Sequence, residues 1–298
     1  MGIGEVRGGV IRPNLISTDT IYIPFLSDLG DSKDGAGWPH ERMIDYDLEL
    51  HRHNGVLRRA YGIRASDRVL DIGCGTGQTT RDAARLATAG VALGIDRSDA
   101  MIERARSLAR AAGLPNIEHK CADVERYALP REHFDVAISR FGTMFFDHPV
   151  AAFSKIRSAL RPNGRLVMMV WQQHDLNEWA TSIEGALAPD APEIALSPTA
   201  RQPFSLGDPD AVRRILDSAG FPAPTFDEVH EAVCYGSDVD AAFEFVAGFA
   251  IVQETAARLD VHQRERTLDR LRHLVAAHQQ ADGVWFDSRA WIVAARRS

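Results

Sequence analysis

The sequence predicts an α/β fold: an open, doubly wound sheet with helices on both faces. Three observations predict it. Apolar runs of strand length recur at 69–72, 91–96, 117–124 and 134–141. Segments with helical spacing alternate with them, the pattern of βαβ units. Three glycines, Gly73, Gly75 and Gly77, directly follow the first run and lead into a helical stretch. Strand, glycine turn and helix together form the ligand-binding device of such sheets, because ligands bind beyond the carboxyl ends of the strands.

The elements follow in order. Residues 1–40 are rich in Gly, Asp and Pro, with Tyr22, Phe25 and Trp38 scattered among them, and read as irregular. Residues 41–61 carry apolar anchors at helical spacing, Met43, Tyr46, Leu50, Val56, Leu57 and Tyr61. His51 and His53 straddle that helix and cannot share a metal, since same-face neighbours lie three or four apart; both read as solvated. Val69, Leu70 and Ile72 form the first strand, with Asp71 among them. Glycine lacks a Cβ, so the turn at 73–77 reaches unusual dihedrals and admits close approach by a ligand. The helix from Gln78 points its free N–H groups at the same place.

The second strand, 91–96, ends in Asp96, nineteen residues after Gly77. An acid there suits ribose hydroxyls in a nucleotide-binding sheet; a helix-capping carboxylate is the alternative. Ser98 and Asp99 supply cap chemistry before the helix that carries Met101. The third strand, 117–124, ends at Asp123 and Val124. The fourth, 134–141, brings Ser139, Arg140 and Phe141 to its C-terminal end. Residues 160–171 read as a helix end, a Pro162-Asn163-Gly164 turn and a fifth strand ending at Trp171. Residues 172–207, with Pro189, Pro192, Pro198 and Pro203, read as linker-like. Residues 209–219 suggest a helix closed by Gly220, 225–235 a strand, 238–279 helices with a break near Gln253, and 284–295 the last strand.

The run Asp71-x-Gly73-x-Gly75-x-Gly77 resembles the first motif of the class I S-adenosylmethionine-dependent methyltransferases. Dinucleotide enzymes differ by one step, carrying G-x-G-x-x-G. The resemblance implies a Rossmann-like doubly wound sheet with a final antiparallel strand, which the family pairs at the sheet edge. It implies S-adenosylmethionine as cofactor and S-adenosylhomocysteine as product. Asp71 would meet the ammonium of the cofactor's amino-acid tail, and the N–H groups of Gly73, Gly75 and Gly77 its carboxylate, with Cys74, Thr76 and Gln78 also at the cofactor. Asp96 and Arg97 would lie at the ribose and Met101 at the adenine. Asp123 would accept from the adenine amino group, with the Val124 N–H reading a ring nitrogen. Ser139, Arg140 and Phe141 resemble the family's fourth motif. They lack the Asn/Asp-Pro-Pro-aromatic tetrapeptide found where exocyclic amines of nucleic-acid bases are methylated, which argues against that substrate class. The core resembles bacterial small-molecule methyltransferases similar to those of ubiquinone and menaquinone synthesis.

The implied organisation is an N-terminal arm or lid at 1–60, a cofactor-binding core at 61–171, and a remainder at 172–298. The remainder completes the sheet and covers the cleft with insertions at 172–207 and 238–280. Trp38, Tyr46, Met144 and Trp171 are lid or substrate candidates, Trp38 and Tyr46 having core packing as the alternative. His174 is the named general-base candidate, and His148 before Pro149 reads as a helix N-terminus. Arg140 either grips an acidic substrate or pairs with a lid carboxylate.

Composition narrows the partners. The chain has 298 residues, 45% of them apolar, enough for a sizeable core. Its net charge of −7, from 34 basic and 41 acidic side chains, disfavours a nucleic-acid partner. Arg58, Arg59, Arg64 and Arg68 read as a solvated face. The three cysteines, Cys74, Cys121 and Cys234, read as reduced thiols, as expected in the cytoplasm. Neither a membrane span, nor a signal pattern, nor a myristoylation site (Val6 stands at the Ser/Thr position) is legible. Nor is a metal-ligand spacing. The expected partner is a small-molecule methyl acceptor, on O, N or C. Rival readings are a nicotinamide-dependent oxidoreductase and a non-catalytic S-adenosylmethionine-binding protein.

Overall fold

In the computed structural model, which describes residues 46–298, seven strands form one sheet in the order β3-β2-β1-β4-β5-β10-β6. The strands are β1 (Arg68–Ile72), β2 (Val91–Asp96), β3 (Ile117–Cys121), β4 (Phe134–Arg140), β5 (Leu160–Trp171), β6 (Thr225–His230) and β10 (Arg289–Arg296). β1 to β5 run parallel, and β10 runs antiparallel to both β5 and β6. The antiparallel final strand agrees with the expectation, but not its place: β10 lies between β5 and β6, and β6 forms the edge. β1 and β4 are almost wholly buried, because helices cover both faces of a parallel sheet.

Three of the four connections of the parallel half carry a helix, as in right-handed βαβ units, and β3 reaches β4 through a loop at 122–133. The helices are α3 (Gln78–Leu86), α4 (Asp99–Ala111) and α5 (Pro149–Ala159). Ser98 Oγ caps α4 by accepting from the Met101 N–H, and Pro149 starts α5 after His148, as its fixed φ favours. Two short helices of the arm precede the sheet, α1 (Tyr46–Glu49) and α2 (His51–Ala60). The N–H of Leu50 bonds to Tyr46 O and that of Asn54 to Leu50 O, so the helical path is nearly continuous through the join. Trp38 lies outside the described residues.

The C-terminal half corrects several boundaries. The runs 225–235 and 284–295 each split between two sheets. β7 (Val233–Gly236), β9 (Gly283–Phe286) and β8 (Gln279–Gln280) make a second sheet in the order β7-β9-β8. The pairs Arg289↔His230 and Val233↔Phe286 keep one register across the break. A single antiparallel ribbon therefore bends at 231–232 and 287–288, where the Ser288 hydroxyl donates to Glu231 O at 2.6 Å. Because β10 is antiparallel, its start at Ala290 lies beside Trp171, at the C-terminal end of β5. The ribbon thus carries the small sheet over the ligand end of the large one.

The linker-like stretch is helical: α6 (Glu178–Leu187) and α7 (Pro198–Arg201) occupy it, since prolines at first-turn positions start helices rather than break them. α8 (Pro209–Ser218) follows, capped by Asp208. The later helices are α9 (Val239–Ala247), α10 (Ala250–Arg258) and α11 (Val261–Ala277), separated at Gly248-Phe249 and Leu259-Asp260 and not near Gln253. Asp260 and Gln263 form a capping box that restarts the chain as α11. Asp190 anchors α11 to the end of α6 through Arg270 at 2.5 Å and Arg266 at 3.2 Å.

Candidate cofactor and acceptor site

The glycine turn is held from beneath. Gly73, Gly75 and Gly77 adopt φ of +67°, +53° and +78°. A Cβ on Gly73 would stand 2.8 Å from the Cα of Gly142, and one on Gly77 2.8 Å from His119 Nε2. A Cβ on Gly75 would meet nothing within 4 Å. Two glycines therefore allow the loop to pack, and the third opens its backbone to free space.

The acids at the strand ends differ in role. Asp71 is fully buried: Oδ2 accepts from the hydroxyls of Thr79 and Thr80, both at 2.6 Å, and Oδ1 has no partner. Burial pushes its carboxyl up to about 6, against the two hydroxyl bonds that hold it down. It is turned inward and ties the turn to α3. The three glycine N–H groups expected to serve a ligand carboxylate, and that of Cys74, are also committed. Those of Gly73 and Cys74 donate to Ile95 O, that of Gly77 to Cys74 O, and that of Gly75 to Asp96 Oδ2 at 2.9 Å. Asp96 Oδ1 accepts from the Ser98 N–H at 2.9 Å, so each oxygen of Asp96 retains a free lone pair.

Asp123 lies half-exposed at the end of β3, accepting from the Glu125 N–H at 2.8 Å, and Val124 beside it is buried. Arg97 is exposed and Met101 partly so. Cys74 is buried, and only the absence of a side chain on Gly94 makes room for its sulfur, 2.9 Å from where that Cβ would be. The Ser139 hydroxyl is structural, donating to Ile72 O at 2.8 Å. Arg140 resolves its two alternatives in favour of an arm carboxylate: it bonds Gln78 Oε1 and meets Asp47 Oδ1 at 2.8 Å. Asp47 also accepts from the Thr76 hydroxyl at 2.9 Å and lies 3.4 Å from Arg81. Neither Asp47 nor Arg81 carried a sequence signal, since a lone acid on a short helix has none.

Beyond the turn lies an aromatic wall. Phe141, at φ +57°, stacks on Trp171 with ring centres 3.8 Å apart. Trp171 continues to Trp179 at 5.6 Å, and Trp179 to Phe204 at 5.5 Å. Met144 is buried, its sulfur 3.4 Å from the Trp171 N–H. A small apolar cavity of about 40 Å³ opens between Trp179, Phe204, Phe249 and Ile183. Glu184 borders it and holds His174 Nε2 at 2.8 Å.

The arm faces this wall. Tyr46 is partly buried, and desolvation, then the Glu49 and Asp96 charges, raises its phenol strongly. Glu49 is buried, and desolvation pushes its carboxyl up to about 8 despite the Arg140 charge. The reading of His53 as solvated is wrong: it is fully buried, edge-on to Trp171 at 5.3 Å and Phe141 at 5.8 Å. Its position was visible as a member of the Leu50, His53, Leu57 stripe, spaced three and four. His51 is exposed, as expected. No helix is long and apolar enough to cross a membrane, and no group of metal-binding side chains occurs among the described residues.

The comparisons agree with this geometry. A family model for the methyltransferase domain matches residues 69–164. A ubiquinone/menaquinone biosynthesis C-methyltransferase, UbiE, of Ectopseudomonas mendocina is 31% identical over 140 residues, 44% of this chain and 55% of that protein. The aklanonic acid methyltransferase DauC of a Streptomyces species is 36% identical over 101 residues, 34% of this chain and 46% of that one. The chain thus spans about half the length of the curated relatives it matches. The crystal structure of YcgJ from Bacillus subtilis superposes with a TM-score of 0.55 at 16% identity, covering 83% of this chain and 98% of that one, which shows a shared fold. The open backbone at Gly75 beside the free lone pairs of Asp96 fits S-adenosylmethionine, the cofactor of this family. By strand order, glycine motif and the match over residues 69–164, the chain has the class I methyltransferase fold and is similar over that span to the S-adenosylmethionine-dependent methyltransferases.

Proposed function

We propose that the chain methylates a small organic molecule with an aromatic or extended apolar body, at O, N or C. The single observation that carries this reading is the juxtaposition at the ligand end of the sheet: the opening at Gly75 and Asp96 on one side, and the stacked Phe141 and Trp171 on the other. When bound, S-adenosylmethionine supplies a methyl group already activated on a sulfonium, passed to the acceptor by in-line displacement. The protein's task is to position the nucleophile and exclude water.

Asp96 takes the ribose hydroxyls on its spare lone pairs, with Arg97 alongside. Met101, Asp123 and Val124 bound the adenine. The free space over Gly75, with Thr76 and Gln78 on the same turn, takes the amino-acid tail. Tyr46 and the Asp47–Arg140 pair close the arm over that end, and Met144 and Trp171 set the acceptor wall. His174, oriented by Glu184 and edge-on to Phe204, is the candidate to take an acceptor proton. The names of UbiE, a ubiquinone/menaquinone biosynthesis C-methyltransferase, and DauC, an aklanonic acid methyltransferase, support an acceptor of this class.

The experiment is calorimetric titration with S-adenosylhomocysteine and, separately, NAD, followed by methyl transfer from labelled S-adenosylmethionine to a panel of phenols and quinols. Micromolar binding of S-adenosylhomocysteine alone, with label transferred to at least one acceptor, is expected. Binding of NAD instead overturns the cofactor assignment. Binding of S-adenosylhomocysteine with no transfer across the panel favours a non-catalytic binder.

A further inference from the structure

One buried nitrogen in the acceptor wall has a fixed chemical identity. His53 Nε2 lies 3.0 Å from Ser288 Oγ. A serine hydroxyl has one proton, and that of Ser288 goes to Glu231 O at 2.6 Å. Ser288 Oγ can then only accept from His53, so Nε2 carries the imidazole proton. Nδ1 is therefore a bare lone pair. It is fully buried and has no partner. Such an atom costs free energy unless a donor reaches it. The ring stays neutral, because burial and the Arg140 charge hold its pKa down at about 3.

The surroundings say what kind of donor. The imidazole stands edge-on to Phe141 and Trp171, the residues at the C-terminal ends of β4 and β5. Glu49 lies four residues earlier, on the same side of the arm, and burial keeps its carboxyl protonated at neutral pH. Tyr235, on β7 against the arm, has a buried hydroxyl with no partner, and burial holds its phenol in the neutral form. Arg140, whose charge acts on the ring, is engaged by Asp47 and Gln78. This wall therefore offers uncharged polar atoms among aromatic rings. A carboxylate or an ammonium would lose its hydration there without gaining an opposite charge.

We propose that His53 Nδ1 accepts a hydrogen bond from a hydroxyl of the methyl acceptor, and that the site selects an uncharged phenol or enol. This rests on the methyltransferase reading above. The kinked ribbon then has a use: its bend at Ser288 sets the tautomer that makes His53 an acceptor.

The test uses the full chain saturated with S-adenosylhomocysteine, and two probes, 1-naphthol and its methyl ether, 1-methoxynaphthalene. Both are neutral and of like shape; only the first donates. The unmodified protein is expected to favour 1-naphthol by about tenfold or more, the discrimination of a buried hydrogen bond. His53→Gln keeps a donor toward Ser288 but removes the acceptor at Nδ1, and should erase the preference while S-adenosylhomocysteine still binds. His53→Asn keeps an acceptor near the Nδ1 position, and should retain part of the preference although its bond to Ser288 is gone. A merely structural histidine predicts the reverse order. Equal binding of the two probes by the unmodified protein, whether weak or strong, overturns the proposal, as does an unchanged preference in His53→Gln. Failure of the unmodified protein to bind S-adenosylhomocysteine overturns the cofactor reading itself, and is seen in the first titration.

Discussion

At the scale of single residues, the glycines separate packing from ligand access. A side chain at Gly73 meets the backbone of Gly142, which cannot move aside; a side chain at Gly75 meets open space. Both positions carry the left-handed strain of about 1–2 kcal/mol. Gly75→Ala is therefore expected to cost about that much stability while sharply weakening S-adenosylhomocysteine binding. Gly73→Ala should cost about 3 kcal/mol or more, because overpacking adds to the strain. Denaturant melts and calorimetry on both variants check this; equal destabilisation by the two would remove the distinction. Asp96→Ala should weaken S-adenosylhomocysteine by about 2 kcal/mol, the worth of charged hydrogen bonds. Unchanged affinity would show that Asp96 serves only Gly75 and Ser98.

At the scale of elements, the arm is docked through a polar clasp and an apolar stripe. Asp47 joins α1 to Thr76, Arg81 and Arg140, while Leu50 and Leu57 are buried beneath. Asp47→Ala leaves two guanidinium groups short of a carboxylate, and should cost about 1–3 kcal/mol of docking stability. Hydrogen exchange at residues 46–60 should accelerate accordingly, with the strands of the sheet unaffected. No change in that segment would mean that the stripe alone holds the arm. These elements also show where local pattern fails. The strand run 284–295 is continuous in hydrophobicity, yet it belongs to two sheets, because the bend at 287–288 is set by its partner strand and by the Ser288–Glu231 bond. Helix α6 was hidden by the prolines that follow it, two of which, Pro198 and Pro203, in fact lie in the first turns of further short helices.

At the scale of the whole molecule, three buried groups set the pH dependence of stability. Glu49 ionises near 4.5 when unfolded and about 8 when folded, so the native state holds more protons and stability falls as pH rises through that window. Asp71 has the same sign, between 3.8 and about 6. His53 has the opposite sign: the unfolded chain protonates at 6.5 and the native ring only near 3, so stability rises across that interval. Above pH 6.5 only Glu49 of the three remains. Folding stability is thus expected to decline from pH 6.5 to 8, and Glu49→Gln should flatten that decline. Chemical denaturation at both pH values compares them; an equal slope in the variant would show that Glu49 is ionised when buried.

The sequence by itself determined the sheet, the turn and the strand-end acids. Val69 to Gly77, Asp96 and Asp123 are local signals, since strand period, glycine spacing and the position after a strand are all written along the chain. Only the tertiary structure decided what those groups do. Asp71 turns inward because α3 presents two hydroxyls to it, and the N–H groups of Gly73, Cys74 and Gly75 are taken because β2 ends beside them. Asp47 became a clasp and His53 a buried acceptor through residues distant in the chain, Arg140 and Ser288. Such pairings depend on how separate elements pack, and a single chain read in order carries no record of which of its polar atoms will meet.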